Sequence, residues 1–317
     1  MTEAADDTVT FVLCIEDNAI RAQALLLCES IRRFGGRHRD AAILAVSPRA
    51  GLGVDLATRR ALDAMDVEYA EQSLNMVCPE YGSANRVFAA AWAEGRARSR
   101  WIVVLDSDTV FLDQPELPED ADVAVRPVDT KGSTTEGPGD PFEDYWRRLA
   151  DLQRVSIECL PFIPTTDGGH RVRASYNGGL VVTRRDCGIL TAWADLFARS
   201  IGEDLRPFRN SDLNVYASTG YVGREVSEYW GSNQAALALA IWSTTTRVCH
   251  YPDTYNLPLH IAVDHPHLRT RRASPLVHVH YHWVFTEAHY QSALAALGDL
   301  GATSDRLDWL RARLPIS

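Results

Sequence analysis

Basic residues are in deficit: 32 Lys+Arg stand against 42 Asp+Glu, a formal net charge of −10. That deficit excludes a polyanion held across a broad basic face, because the summed field repels nucleic acid and anionic membranes alike. It leaves room for a local basic pocket. Long apolar runs are also missing. The longest, such as Ala235–Trp242, fall well short of the ~20 residues that cross a bilayer. The opening MTEAADDTVT is acidic and lacks the basic and apolar stretches of a secretory signal. These absences lead to the expectation of a soluble, cytoplasmic protein. The 6 cysteines (Cys14, Cys28, Cys78, Cys159, Cys187 and Cys249) contain no C-x-x-C pair, so they read as small buried hydrophobes in a reducing compartment rather than as a zinc site. There is no internal repeat and no low-complexity tract. What is present is ordinary globular material, 46% hydrophobic and 23% charged over 317 residues, long enough to bury a substantial core.

The apolar, β-branched run Thr8–Ile15 has the length of a buried strand. Asp17 and Asn18 supply N-cap chemistry for a helix over Ala19–Phe34, which Gly35-Gly36 ends. Ala41–Val46, Val67–Tyr69 and Trp101–Leu105 read as further strands, with helices over Asp55–Met65 and Ala84–Arg98 between them. Such alternation predicts an α/β fold with a mostly parallel sheet flanked by helices, whose ligands collect at the C-terminal strand ends. The candidate ends are Cys14–Asn18 and Asp106–Thr109. Farther along, Leu180–Thr183 reads as a strand, Gly188–Ile201 and Gln234–Trp242 as helices, and Val277–Phe285 as an alternating strand. Asp129–Pro141 and Pro161–Ser175 are Gly/Pro/Ser/Thr-rich and are expected to form loops or a lid.

Asp106-Ser107-Asp108 follows directly on the buried run WIVVL. Two carboxylates one residue apart at a strand end can share a divalent cation, and hard oxygen ligands with open positions suit Mg²⁺ or Mn²⁺ that bridge to phosphates. His278, His280 and His282 alternate within VHVHYHWVF, so a strand would put all three on one face. Any of them qualifies as a further ligand.

WIVVLDSDTVFL resembles the metal-binding strand of nucleotide-sugar-dependent glycosyltransferases with the GT-A fold, and of family 8 (glycogenin-like and lipopolysaccharide galactosyltransferase-like enzymes) in particular. TFVLCIEDNAIRAQALLLCESIRR, YGSANRVFAAAWA, SYNGGLVVT, SNQAALALA and YNLP with HVHYHWVF are similar to further segments of that family, in the same order. The resemblance implies a nucleotide and metal half over 1–128, an acceptor and donor-sugar half over 129–290, and a helical extension over 291–317. It implies Asp106, Asp108 and His280 as ligands of Mn²⁺ or Mg²⁺. Cys14, Ile15 and Glu16 would line the base, Ser107 the ribose, and Arg86 the diphosphate or sugar. Asn177, Gly178 and Gly179 would approach the donor sugar, with Gln234 facing the anomeric carbon. The implied activity is transfer of a sugar from an NDP-sugar, with UDP-sugar expected, to an unidentified hydroxyl of a glycan, lipid, protein or small molecule.

Two departures stand out. Asn233 occupies the position where the family carries Asp, and no Lys follows His280. The diphosphate charge would then fall to Arg86 and to Arg171, Arg173 or Arg271. Without a carboxylate beside Gln234, a retaining reaction is expected; an inverting one would need Asp212 or Asp167 as base. Asp140, Phe142, Tyr145 and Trp146 offer a carboxylate and aromatic surface for a sugar acceptor. A nucleotidyltransferase is the competing enzyme class, disfavoured by the acidic, Gly-free CIEDNAIRAQ after the first strand. A catalytically inactive sugar-binding protein is the non-enzymatic alternative, for which Asn233 is the hint.

Overall fold

The computed structural model describes residues 8–217 and 220–316. Its strands are β1 (Val9–Cys14), β2 (Ala42–Ser47), β3 (Glu68–Glu71), β4 (Trp101–Leu105), β5 (Thr109–Phe111), β6 (Val123–Pro127), β7 (Phe162–Pro164), β8 (Arg171–Arg173), β9 (Tyr176–Arg184), β10 (Tyr216–Ala217), β11 (Gly220–Tyr221), β12 (Val248–His250), β13 (Leu257–Pro258) and β14 (His278–His280). Seven of them form the central sheet in the order β12-β6-β9-β4-β1-β2-β3. β1 pairs in parallel with β2 and β4, β2 with β3, and β12 with β6. β9 runs antiparallel to both its neighbours, β4 and β6. The sheet is therefore mostly parallel with one reversed strand at its middle.

The inner strands are buried on both faces, so their side chains divide between two cores. Val12, Cys14, Ile102 and Val104 face one layer of helices. Phe11, Leu13, Trp101, Val103 and Leu105 face the other. Helix α1 (Ile20–Phe34) sits on the second face through Ala24, Leu27, Cys28 and Ile31. It ends on Gly35, with Gly36 in the left-handed region. Asp55 caps α2 (Leu56–Ala64) by accepting from the Thr58 N–H at 2.7 Å. On the first face lie α3 (Asn85–Arg96), α4 (Glu143–Gln153), α5 (Ile189–Gly202) and, after the short α6 (Arg224–Ser227), α7 (Ser232–Thr244). The stretch Ala235–Ile241 of α7 is buried on every side, as a helix without a polar stripe must be. Each fully buried Val, Leu or Ile in these layers contributes about 1.5–3 kcal/mol over its exposed state.

A third core forms under a second sheet of order β13-β14-β5, together with α8 (Leu259–Asp264), α9 (Tyr290–Leu300) and α10 (Ser304–Arg311). β14 pairs antiparallel with β5, and His280 stands opposite Thr109. That register brings the late histidines to the strand end carrying Asp106 and Asp108. The segment 277–285, expected as one long strand, is a strand only over His278–His280. Tyr281, Val284 and Phe285 leave it in turns and fill the third core.

The polar segment 129–141 is tied down rather than free to act as a lid. Trp146 Nε1 donates to the Ser133 carbonyl at 2.8 Å, Thr135 Oγ1 to Glu143 at 2.8 Å, and Lys131 pairs with Asp140 at 2.8 Å. Tyr145 and Trp146 are core residues at 6% and 0% exposure, which removes them as a surface for an acceptor sugar. Among the described residues no helix is long and apolar enough to cross a membrane.

Candidate active site

A cavity of about 420 Å³ opens where β1 and β4 end, roofed by the start of α3, the start of α7 and the loop after β14. Cys14, Glu16, Arg86, Asp106, Ser107, Asp108, Asn177, Asn233, Gln234 and His280 all line it. Its floor is stapled: Ser107 Oγ donates to the Cys14 carbonyl at 2.5 Å, and Ser47 Oγ to the Ile15 carbonyl at 2.5 Å. Ile15 itself is fully buried among Leu27, Cys28 and their neighbours, away from the cavity. Neither Asp212, Asp167 nor Arg171, Arg173 and Arg271 lines it. Arg173 is buried elsewhere against Glu143 and the Ile157 carbonyl, and Asp212 lies on the surface with Arg224.

Asp108 and His280 form the centre of the charged end. His280 Nε2 lies 3.2 Å from Asp108 Oδ1 and 3.9 Å from Asp106 Oδ2, and His282 Nδ1 lies 3.6 Å from Asp108 Oδ2. Asp106 also pairs with Arg86 Nη1. Burial opposes charge on Asp108, but His280, then His282 and a backbone hydrogen bond, together outweigh it and hold the carboxyl well below the usual carboxylate range. Burial likewise disfavours imidazolium at His280, and Asp108 more than restores it, so this imidazole is held above its ordinary value. His282 is driven well below its ordinary value by burial and then by the charge of His280. His260, edge-on to His282 with ring centroids 4.3 Å apart, is lowered by burial and then by His280.

His278 takes no part. It is fully buried, packs on Phe111 with centroids 4.6 Å apart, and neither ring nitrogen has a hydrogen-bond partner. Although His280 and His282 are two residues apart, the strand has ended by His282, whose φ of 52° is an uncommon left-handed conformation for a non-glycine residue. Its ring therefore stacks on His280 with centroids 3.7 Å apart.

These groups fit a divalent ion. Ligand atoms of Asp108, His280 and His282 lie within 4.8 Å of one another. Neighbouring donors on an ion with ~2.1 Å bonds stand about 3 Å apart, close to the 3.2 Å of Asp108 and His280. A mixed carboxylate and imidazole set suits Mn²⁺ better than Mg²⁺.

The two glycines serve a different purpose from the expected one. A Cβ on Gly178 would lie 2.7–2.9 Å from the Arg86 guanidinium, and one on Gly179 would lie 2.5 Å from Asn256 Oδ1 and 2.6 Å from His280 Nδ1. They let Arg86 and His280 lie flat on β9. Asn177 Nδ2 donates to Asp129 at 3.0 Å and its Oδ1 accepts from the Gly179 N–H. Asn233 Nδ2 donates to the Ser83 carbonyl at 2.9 Å, and its own carbonyl accepts from Trp193 Nε1.

Sequence reasoning missed Arg49. It lies in the loop after β2 and grips Glu16: Nε donates to Oε1 at 2.8 Å and Nη2 to Oε2. Asn85 Nδ2 and Asn18 Nδ2 add further donors to the same carboxylate at 3.2 and 3.3 Å. The signal available was that a buried Glu at a strand end requires a cation, but nothing in SPRAG marks Arg49 as that cation.

A mostly parallel sheet with an acid and histidine cluster at its C-terminal edge is the arrangement of a GT-A glycosyltransferase. More particularly, the chain belongs to the Rhodobacterales glycosyltransferase domain family, whose model matches residues 11–213. That span includes Arg86, the Asp106–Asp108 segment and Asn177–Gly179, and ends before Asn233, Gln234 and His280. No curated protein matches the sequence. Among solved structures, the WbbM bifunctional glycosyltransferase is similar in fold, with a TM-score of 0.50 and 13% identity over 99% of this chain and 53% of that one. The galactosyltransferase LgtC, solved with donor and acceptor sugar analogues, gives 0.48 and 15% over 96% of each. GlyE of Streptococcus pneumoniae TIGR4 gives 0.46 and 12% over 98% of this chain and 66% of its own. The chain spans about half the length of WbbM.

Proposed function

We propose that the protein transfers a sugar from a UDP-sugar to an acceptor hydroxyl with retention at the anomeric carbon, and that it depends on Mn²⁺. The observation that carries this reading is the Asp106, Asp108 and His280 cluster under Arg86, on the floor of a cavity in a glycosyltransferase domain. Asp106, Asp108 and His280 would hold the ion, with His282 beside them. When bound, it supplies a Lewis acid for the charge that grows on a departing diphosphate.

The remaining work falls to this chain's own groups. Arg86, clamped by Asp106 and seated on Gly178, gives a fixed positive charge near that diphosphate, and a fixed charge costs no reorganisation as the reaction proceeds. Gln234 offers a neutral amide oxygen to the anomeric face. The cavity's acids are Glu16, Glu80, Asp106 and Asp108. Glu16 is held by Arg49, Asp106 by Arg86, and Asp108 lies against His280. Glu80 is solvent-exposed and belongs to the rim near Arg49. Among the described residues the cavity's other three acids are all engaged, so front-face attack with the departing phosphate accepting the proton is the favoured course.

Thermal-shift and calorimetric titration of UDP-sugars with Mn²⁺ tests this. Binding and slow hydrolysis of a UDP-sugar are expected, abolished by EDTA and by Asp108→Ala. Unchanged nucleotide-sugar binding under both treatments would remove the metal from the reading; no binding of any nucleotide-sugar would remove the donor.

A further inference from the structure

The cavity has a second polar end that the chemistry above does not use. Glu16, 0% exposed, closes β1, and its carboxylate is saturated by Arg49, Asn85 and Asn18. It therefore has no lone pair to spare for a ligand. Arg49 does have donors to spare. Of its five N–H groups, Nε–H and one Nη2–H go to Glu16, and one Nη1–H goes to the Pro79 carbonyl at 2.9 Å. One N–H remains on each terminal nitrogen, and the side chain keeps 19% of its surface exposed at the cavity wall.

Gln23, on the first turn of α1, lines the same cavity, is 7% exposed, and its Oε1 has no hydrogen-bond partner. A buried acceptor without a partner is destabilising, and a bound donor would relieve it. So this end carries a locked pair of donors and an unused acceptor. Arg49 follows β2 while Asp106 and Asp108 follow β4, two strand spacings apart in the order β4-β1-β2, or about 10 Å. That is a distance a nucleoside diphosphate spans from base to phosphates.

We infer that Arg49, fixed by Glu16, and Gln23 read the base of the donor nucleotide through a C=O beside an N–H. Uracil and guanine present that lactam edge, accepting from Arg49 and donating to Gln23. Cytosine and adenine present the reverse, a ring nitrogen acceptor beside an amino donor, and set their amino group against the guanidinium. Glu16 acts as the positioning residue: it holds the guanidinium and touches no ligand. This inference rests on the nucleotide-sugar reading above and adds base selection to it.

The test is calorimetric binding of UDP, GDP, CDP and ADP, each with Mn²⁺, to the full chain, with Mn²⁺–pyrophosphate as the base-free reference. Wild type is expected to bind UDP or GDP at least tenfold more tightly than CDP and ADP. Arg49→Met is expected to bring all four within about twofold while leaving pyrophosphate affinity unchanged. Arg49→Lys keeps the charge but loses the fork, and should fall between the two; it serves if Arg49→Met does not fold by circular dichroism. Equal affinities in wild type, or selectivity that survives both substitutions, overturn the inference and leave the donor reading standing. Pyrophosphate binding with no preference for any nucleoside diphosphate over it overturns both.

Discussion

Glu16 and Asp108 are both buried acids just beyond the ends of neighbouring parallel strands, β1 and β4, yet they are neutralised in opposite ways. Glu16 is held by Arg49, a cation that cannot release its proton, and with Asn85 and Asn18 it leaves the carboxylate no free lone pair. Asp108 is held by His280, whose imidazolium can lose its proton and become a ligand itself, beside His282, which burial already disfavours as a cation. The first acid is permanently structural. The second is stabilised only provisionally, and a divalent ion can take over from the proton. What distinguishes a metal site from an ion pair here is the titratability of the partner, not the acid.

Removing the acids should break this symmetry most sharply. Asp108→Ala should lower Mn²⁺ affinity more than about 100-fold, beyond the 10–100-fold typical of losing an outer-shell partner, while the metal-free fold loses less stability than in Glu16→Ala, because His280 can shed its proton; calorimetry and thermal denaturation read the two. Glu16→Ala should do the opposite, destabilising the fold by about 3 kcal/mol in urea by stranding the half-buried Arg49, with Mn²⁺ affinity kept.

The glycines come next. Gly179→Ala crowds His280 and Asn256, and Gly178→Ala crowds Arg86; overpacking of this kind costs about 1–3 kcal/mol. Only the Gly179 variant should weaken Mn²⁺ binding as well, a split visible by titrating both variants with the ion.

The pH effect is smaller for each unit of change. His280 is raised in the folded state, so without metal it stabilises the fold below about pH 6.5, and that contribution disappears as pH rises through the folded value. Asp108 is depressed, so its contribution is present above about pH 3.9 and is lost as pH falls through the folded value. Mn²⁺ must displace the His280 proton, so its affinity should rise by up to about tenfold per pH unit until the folded value of His280 is passed. Calorimetry in two buffers of different ionisation heat measures the released proton. A flat profile between pH 5.5 and 8 would exclude His280 as a ligand. At the bottom of the scale, Asp17→Asn on the exposed Asp17–Arg21 pair should change stability by no more than about 0.5 kcal/mol.

Much of the N-terminal half of the fold was readable because β1, β2 and β4 are short, largely apolar runs and α1 stops at Gly35. The reversal of β9 was not, since LVVT is equally apolar whichever way it runs. The structure brings Asp106, Asp108 and His280, named through resemblance, to one end of the cavity. The period-two reading treats His278, His280 and His282 alike, and only the resemblance puts His280 first; the strand ends at His280, so the turn that carries His282 beside it was not legible. At 129–141 composition reveals the loop but not its anchoring, since Ser133 and Thr135 tie it to α4 by hydrogen bonds. Arg49 was invisible because its partner is Glu16, 33 residues earlier, a pairing only the sheet creates.

The central position of β9 has a consequence in the time during which the chain is made. β6 and β12 reach the rest of the sheet only through it, and β4 carries an open edge until it arrives. A nascent chain that has emerged only through β6 therefore holds two apolar strands with unpaired backbone groups and no means of joining them. Such edges are templates for association with other chains. The ribosome-bound intermediate, rather than the finished enzyme, is where this protein is most exposed to aggregation, and substitutions in Tyr176–Arg184 would show first as lost soluble yield.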